Sequence, residues 1–295
     1  MELPVVIGVD GSQPALLAVD RAADEAALRG AELRVVYASL WERYEGDALA
    51  DDLGGSGESG EEVMGRDIVD SAARRARLRH PALRVSVDVV PEEPEYALVR
   101  ESRNASLLVT GSRGRSGLAE ALLGSVSLTV AGHAHCPVIV VRGEGSPGRG
   151  GRIVVGAGED STEALRFAAE EARRQGAVLD VVRAWRAPVQ GSPSPAALAG
   201  ESARHRERRA ARELDAAVEE ALKGAPDGLG EGLDVRRRTV EGAARIVLVD
   251  ASRGADLVVV GAKRRPRTFG LQLGRVAHRV LHHAGCAVAV VPERG

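Results

Sequence analysis

Aromatic side chains are nearly missing from this 295-residue sequence: Phe, Trp and Tyr together make up 2% of it. Its cores must therefore be packed from Val, Leu, Ala and Ile, which suits parallel sheets lying under helices. Cysteine is equally scarce. Cys136 and Cys286 are too few for a disulfide framework, so the fold has to hold by burial alone. Excess charge is lacking too: the formal net charge is −2 and the pI about 6.4, so no positive surplus draws the whole chain to nucleic acid or anionic lipid. An anionic ligand has to be caught locally. No apolar run reaches the roughly 20 residues of a membrane span. The opening Met-Glu-Leu-Pro leads straight into an apolar strand, without the basic region and cleavage site of a leader. A cytoplasmic protein is expected. The chain has no G-x-x-x-x-G-K-[ST], which removes the P-loop, and no Ser, His and Asp set at a nucleophile turn.

What is present is a globular composition, 44% apolar and 28% charged, at a length that suits two domains of ordinary size. The halves superpose as sequences. SRNASLLVTGSRGRSGLAEALLGSVSLTVAGHAHCPVIVV from Ser102 answers SRGADLVVVGAKRRPRTFGLQLGRVAHRVLHHAGCAVAVV from Ser252, with Gly111 on Gly261, Gly124 on Gly274 and Cys136 on Cys286. Earlier, VVIGVDGS from Val5 answers IVVGAGEDS from Ile153, and GAELRVVYASLW from Gly30 answers GAVLDVVRAWR from Gly176. A duplicated domain is the simplest explanation. The expected division is 1–142, a Gly- and Pro-rich linker at 143–151, and 152–295.

Strand and helix alternate within each copy. In the first, strands are predicted at 5–9, 33–38, 83–90, 107–110 and 138–141. Helices are predicted at 14–29, 62–78, 94–102 and 125–133, with a Gly-rich acidic loop at 42–61. Short apolar runs alternating with helices indicate a parallel sheet covered on both faces with right-handed crossovers, whose ligands sit at the carboxyl ends of the strands. The second copy differs mainly in its loop at 187–200 and in a basic helix around RHRERRAAR from Arg204.

Three features of the first copy converge on that carboxyl edge. The fourth strand ends in Gly111-Ser112-Arg113-Gly114, and after nine residues Gly124-Ser125 opens a helix. Backbone N–H groups at glycine turns and a helix start can approach an anion closely, and the helix dipole adds to the field there. Asp10, after the first strand and next to Gly11-Ser12, suits ribose hydroxyls or a phosphate-bound metal better than it suits phosphate. Each residue also has a plainer role open to it. The glycines serve tight turns, Asp10 makes an ordinary turn or cap, Ser125 caps its helix, and Arg113 is a solvated loop charge.

GVDGS at Gly8 to Ser12, together with GSRGRSGLAEALLGS at Gly111 to Ser125, resembles the universal stress protein family, and the resemblance covers nearly the whole chain twice. It implies an α/β fold class: two tandem five-stranded parallel-sheet domains, Rossmann-like and of the adenine nucleotide alpha hydrolase-like type. It implies a stress-response protein that binds ATP, with or without Mg, as a regulatory ligand rather than as an enzyme's substrate. Carried over residue by residue, Val9 and Asp10 flank adenine and ribose, and Ala38 walls the adenine pocket. Gly111, Arg113, Gly114, Gly124, Ser125, Val126 and Ser127 surround ribose and phosphates. The family commonly dimerises through the last strand, so 138–141 and 288–291 are expected to pair within the chain, with a homodimer as a further expectation. A nucleotide-free interaction scaffold with an unknown protein partner, and a weak ATPase or autophosphorylating protein, are the other functions this resemblance leaves open.

The second copy departs from the pattern. Arg264 stands at the Gly114 position and Arg275 at the Ser125 position. Its first turn, Gly156-Ala157-Gly158-Glu159-Asp160, reads as two residues shorter, with nothing plainly replacing Asp10. This copy is expected to be a structural or regulatory partner. Gly156-x-Gly158 lacks the third glycine and the distal acid of a dinucleotide fingerprint. The groups His133, His135, Cys136 and His278, His282, His283, Cys286 lack the closed four-ligand spacing of a structural metal site. They are read as helix-end imidazoles favoured by the dipole and as small buried thiols. The basic helix, interleaved with Glu207 and Glu213, is read as a solvated face without the aromatic platforms of a nucleic-acid site.

Overall fold

Valine- and leucine-rich runs with one buried side chain after another become five parallel strands in each half of the chain. The computed structural model describes residues 2–40, 60–112, 114, 123–142, 151–186, 203–223, 232–263 and 273–293. The chain divides into two compact units, Met1–Gly145 and Ser146–Gly295.

The first unit runs β1 (Val5–Gly8), α1 (Gln13–Arg29), β2 (Leu33–Ala38), α2 (Gly60–Arg79), β3 (Val85–Val90), α3 (Pro94–Glu101), β4 (Leu107–Gly111), α4 (Ser125–His133) and β5 (Val138–Val141). Its strand order is β3-β2-β1-β4-β5, every pairing parallel. The boundaries predicted from sequence shift where turns intrude. β3 starts at Val85 because Leu83 N–H still closes a turn on the His80 carbonyl. α3 tightens into a 3-10 turn at Ser102–Asn104, with the Ser102 hydroxyl on the Val99 carbonyl. β1 stops at Gly8, although Val9 N–H still bonds to Val36.

The second unit repeats the plan: β6 (Arg152–Gly156), α5 (Thr162–Gln175), β7 (Val178–Trp185), α6 (Ala203–Lys223), β8 (Val235–Glu241), α7 (Ala244–Ser252), β9 (Leu257–Lys263), α8 (Arg275–His283) and β10 (Ala287–Glu293). Its order is β8-β7-β6-β9-β10, again parallel. The basic helix is α6. It buries Ala210, Leu214, Val218 and Ala221, a helical stripe, and leaves Arg204, Arg208 and Arg209 exposed. Cys136 and Cys286 are buried and not joined in a disulfide, and they lie just ahead of β5 and β10.

Duplication is visible even in ion pairs, with the polarity reversed. On β2, Arg34 meets Asp88 of β3 at 2.6 Å and Glu101 of α3 at 3.0 Å. At the matching register on β7 the acid is central: Asp180, 2% exposed, meets Arg238 of β8 at 2.7 Å and also pairs with Arg152 of β6. Burial alone would raise the Asp180 carboxyl. Hydrogen bonds and charge from Arg238 and Arg152 outweigh it and hold the group below the usual carboxylate range.

In both units the direction of strand succession reverses at the first strand, β1 between β2 and β4, and β6 between β7 and β9. In open parallel sheets the crevice for a ligand lies at the carboxyl ends of the strands flanking such a switch. The crevice of each unit is therefore expected beside the ends of β1 and β4, and of β6 and β9.

Candidate nucleotide site at the carboxyl edge

Val9 leaves β1 buried and carries the chain to Asp10 on the rim. The Asp10 carboxylate accepts the Ser12 N–H at 3.0 Å, and the Ser12 hydroxyl oxygen accepts the Ala15 N–H at 3.3 Å as the N-cap of α1. The other Asp10 oxygen faces the loop after β4: a Cβ placed on Gly114 would sit 2.7 Å from Asp10 Oδ2. A side chain at this position would have to push the Asp10 carboxylate out of its place. The two halves of the sequence signature thus meet across the switch point.

Gly111, the last residue of β4, is under a different constraint. Its missing Cβ would lie 2.9 Å from the Pro14 carbonyl oxygen at the start of α1, so β4 and α1 touch backbone to backbone. The loop is closed by Gly124 N–H donating to the Ser112 carbonyl at 2.9 Å, and by the buried Ser127 hydroxyl donating to the Gly111 carbonyl at 2.6 Å. Gly124 is the N-cap of α4 and has no side chain to satisfy the helix start. The first intrahelical bond is Leu128 N–H to Gly124. The N–H groups of Ser125, Val126 and Ser127 precede it, the ordinary donors of an anion site.

Of the predicted residues, Asp10 and Gly114 approach each other, Gly111 and Ser127 are joined by a hydrogen bond, Gly124 is tied to Ser112, and Ser125 and Val126 open α4. Val9 and Ala38 lie at the ends of β1 and β2. Arg113 lies outside the described residues. Sequence reasoning missed Glu95 at the start of α3, whose carboxylate accepts the Ser125 hydroxyl at 3.2 Å. No spacing rule links positions on two different helices.

The second unit corrects one expectation. Between Gly156 and the N-cap Ser161 lie residues 157–160, against 9–11 between Gly8 and Ser12, so this turn is one residue longer, not two shorter. Ala157 N–H bonds to Val182 as Val9 does to Val36, which puts Gly158 at the Asp10 register. The carboxylate is gone there, and Arg183 instead donates to the carbonyls of Ala157 (3.5 Å) and Gly158 (3.3 Å) while pairing with Glu213 of α6. A cavity of about 880 Å³ remains at this edge, lined by the ends of β6, β7 and β9 and by α7 and α8.

Glu293, at the end of β10, has no counterpart among the described residues of the first unit. Its carboxylate is buried and accepts the N–H groups of Glu163 and Ala164 at the start of α5, both at 3.0 Å. Burial raises this carboxyl above the ordinary range, helped by the charges of Glu163 and Asp160, and the two backbone donors only partly offset the rise. A raised carboxyl favours the folded state at low pH, and this contribution is lost as pH climbs through the folded value. Glu293→Gln is therefore expected to gain stability relative to the parent between pH 4 and pH 7, as read by urea unfolding at both pH values.

The described residues contain no group of three or more His, Cys, Asp or Glu side chains that could hold a metal. His133 Nδ1 lies 2.8 Å from the Thr129 carbonyl of its own helix, and His278 stacks on His282 with ring centroids 4.5 Å apart. Among the described residues no helix is long and apolar enough to cross a membrane.

Comparison with known proteins matches the profile of the Universal stress protein family to residues 2–142 and again to 151–292. A universal stress protein of Mycobacterium tuberculosis is 32% identical over 311 aligned positions, covering 98% of this chain and 97% of that one. One of Mycolicibacterium smegmatis is 39% identical over 140 residues, 48% of this chain and 46% of its own length. The crystal structure of a universal stress protein from Archaeoglobus fulgidus superposes with a TM-score of 0.66 at 16% identity, covering 99% of this chain and 98% of that one, a likeness of fold.

Proposed function

Because the chain belongs to the universal stress protein family, a family of stress-response proteins, we propose that its first domain binds ATP as a regulatory ligand and that its second domain does not. The observation that carries this reading is the approach of Asp10 to Gly114 across the β1/β4 switch point. A carboxylate at that position accepts hydrogen bonds from ribose hydroxyls, and the glycine turn leaves room for the sugar beside it. Phosphates then fall at the uncapped start of α4, where backbone donors and the helix field receive them. The apolar end of β2, at Ala38, and Val9 supply the wall for the base. Mg²⁺, where it accompanies the nucleotide, reaches the site on the phosphates.

Binding without committed turnover is the proposed use. Backbone donors position phosphate but supply no base, and the Asp10 carboxylate is already engaged in its own turn through Ser12. Nucleotide then acts by stabilising the state that binds it, by an amount set by its concentration relative to Kd.

The role assigned to Asp10 is tested by titrating ATP and 2′,3′-dideoxy-ATP into the parent and into Asp10→Ala. Loss of a charge-assisted hydrogen bond is worth about tenfold in affinity or more. The dideoxy ligand is expected to lose that factor in the parent and nothing further in the variant. A variant that still discriminates the two ligands fully would show that Asp10 does not read the ribose.

A further inference from the structure

The carboxyl edge of the second domain holds a cavity between the ends of β6, β7 and β9 and the helices α7 and α8. Its volume, about 880 Å³, lies within the roughly 300–1,000 Å³ of small-molecule sites. Its walls are apolar: Val182 and Ala184 from β7, Ala244 and Leu248 from α7, and Val260 from β9. Three of these, Val182, Leu248 and Val260, are themselves buried, so the floor is held by the core and not by mobile side chains.

The charged lining residues, Glu159, Asp160, Arg183, Lys263 and Arg275, are all at least partly exposed. Lys263 pairs with Asp160, and Arg183 with Glu213, so each of these cations already has an acid. Arg275 has none among the described residues, and it is exposed at the first position of α8. A cation at a helix N-terminus opposes the helix field, so helix stability does not account for it. An anion bound at the rim does. At the same edge the ribose acceptor is missing, since Gly158 takes the Asp10 register.

We propose that this cavity is a second, independent site for a small aromatic acid: a flat apolar body seated on Leu248, Ala244 and Val260, with a single anionic head group on Arg275 and no ribose. The apolar floor supplies affinity by burial, and Arg275 sets the sign of charge and the orientation. ATP is disfavoured there by the lost ribose acceptor.

The probe is 8-anilinonaphthalene-1-sulfonate, an aromatic apolar body with one sulfonate, titrated by fluorescence into the full chain. The variants are Arg275→Glu, which reverses the rim charge on the surface, and Ala244→Trp, which fills the floor from a half-buried position. Each is checked for a thermal midpoint no lower than that of the parent, since Arg275→Glu by itself favours the start of α8. One saturable site per chain is expected, weakened at least tenfold in each variant and retained in saturating Mg-ATP. ATP binding itself should be unaltered by either substitution, which separates this site from the one in the first domain. Absence of saturable binding, binding indifferent to both variants, or displacement of the dye by ATP would each overturn the proposal.

Discussion

Replacing Asp180 with alanine is expected to destabilise the second domain by about 3–5 kcal/mol, the cost of removing one member of a buried ion pair and leaving its partners uncompensated. Asp180 is 2% exposed between Arg152 and Arg238, and both guanidinium groups aim at its carboxylate. Those arginines are partly exposed, at 31% and 45% of their side chains, so solvent relieves some of the loss and the lower end of the range is the better expectation. The first domain suggests the compensating change. Its equivalent pair has the opposite polarity, Arg34 to Asp88, so Asp180→Arg combined with Arg238→Asp should recover part of the stability lost by either substitution alone. Recovery stays partial because Arg152, which has Pro4 as its counterpart, then faces a like charge. Urea unfolding of the single and double variants closes the cycle, and strict additivity of the two losses would contradict it. Acid should act in the same direction as Asp180→Ala. The depressed Asp180 carboxyl contributes stability above its unfolded value, and this is lost as pH falls through the folded one.

The second large effect is expected at Gly111. Gly111→Val drives a branched side chain into the Pro14 carbonyl, 2.9 Å from where the Cβ must go, and neither β4 nor the start of α1 can give way without moving the sheet. Overpacking of this kind costs about 1–3 kcal/mol or more. Binding should fail with it, because the Gly111 carbonyl holds Ser127 and thereby the start of α4. The matched change Gly261→Val is the control. There the Cβ meets the Glu293 side chain at 2.5 Å, an obstacle that can rotate away at the expense of its bonds to α5, so a smaller loss is expected. Equal losses at the two glycines would show that the backbone approach at Gly111 is not what constrains it.

Strand and helix succession was legible in the sequence because short apolar runs of Val and Leu have few other uses and because the duplication shows each element twice. Element edges were less so. Leu83 is as apolar as the strand that follows, yet it closes a turn, and apolar periodicity does not register a single carbonyl acceptor. The meeting of Asp10 with Gly114 was legible only as a pair of motifs, since the contact itself arises from β1 and β4 being neighbours in the sheet. What stayed hidden in the second copy were side chains that act across elements. Arg183 reaches from β7 to the end of β6, and Glu293 reaches from β10 to the start of α5. The length of its first turn also misled, because Gly158, Glu159 and Asp160 all suit a turn and the sequence contains nothing to say which of them takes the register of Asp10.

The asymmetry between the domains is tested most directly by calorimetric titration of Mg-ATP into the purified, nucleotide-stripped chain beside a Gly124→Trp variant. One site per chain, lost in the variant because the indole covers the start of α4, is the predicted result. Two sites would show that Gly158 and Arg275 do not disable the second domain toward nucleotide. No binding would contradict the nucleotide site altogether and leave a tandem interaction scaffold in its place.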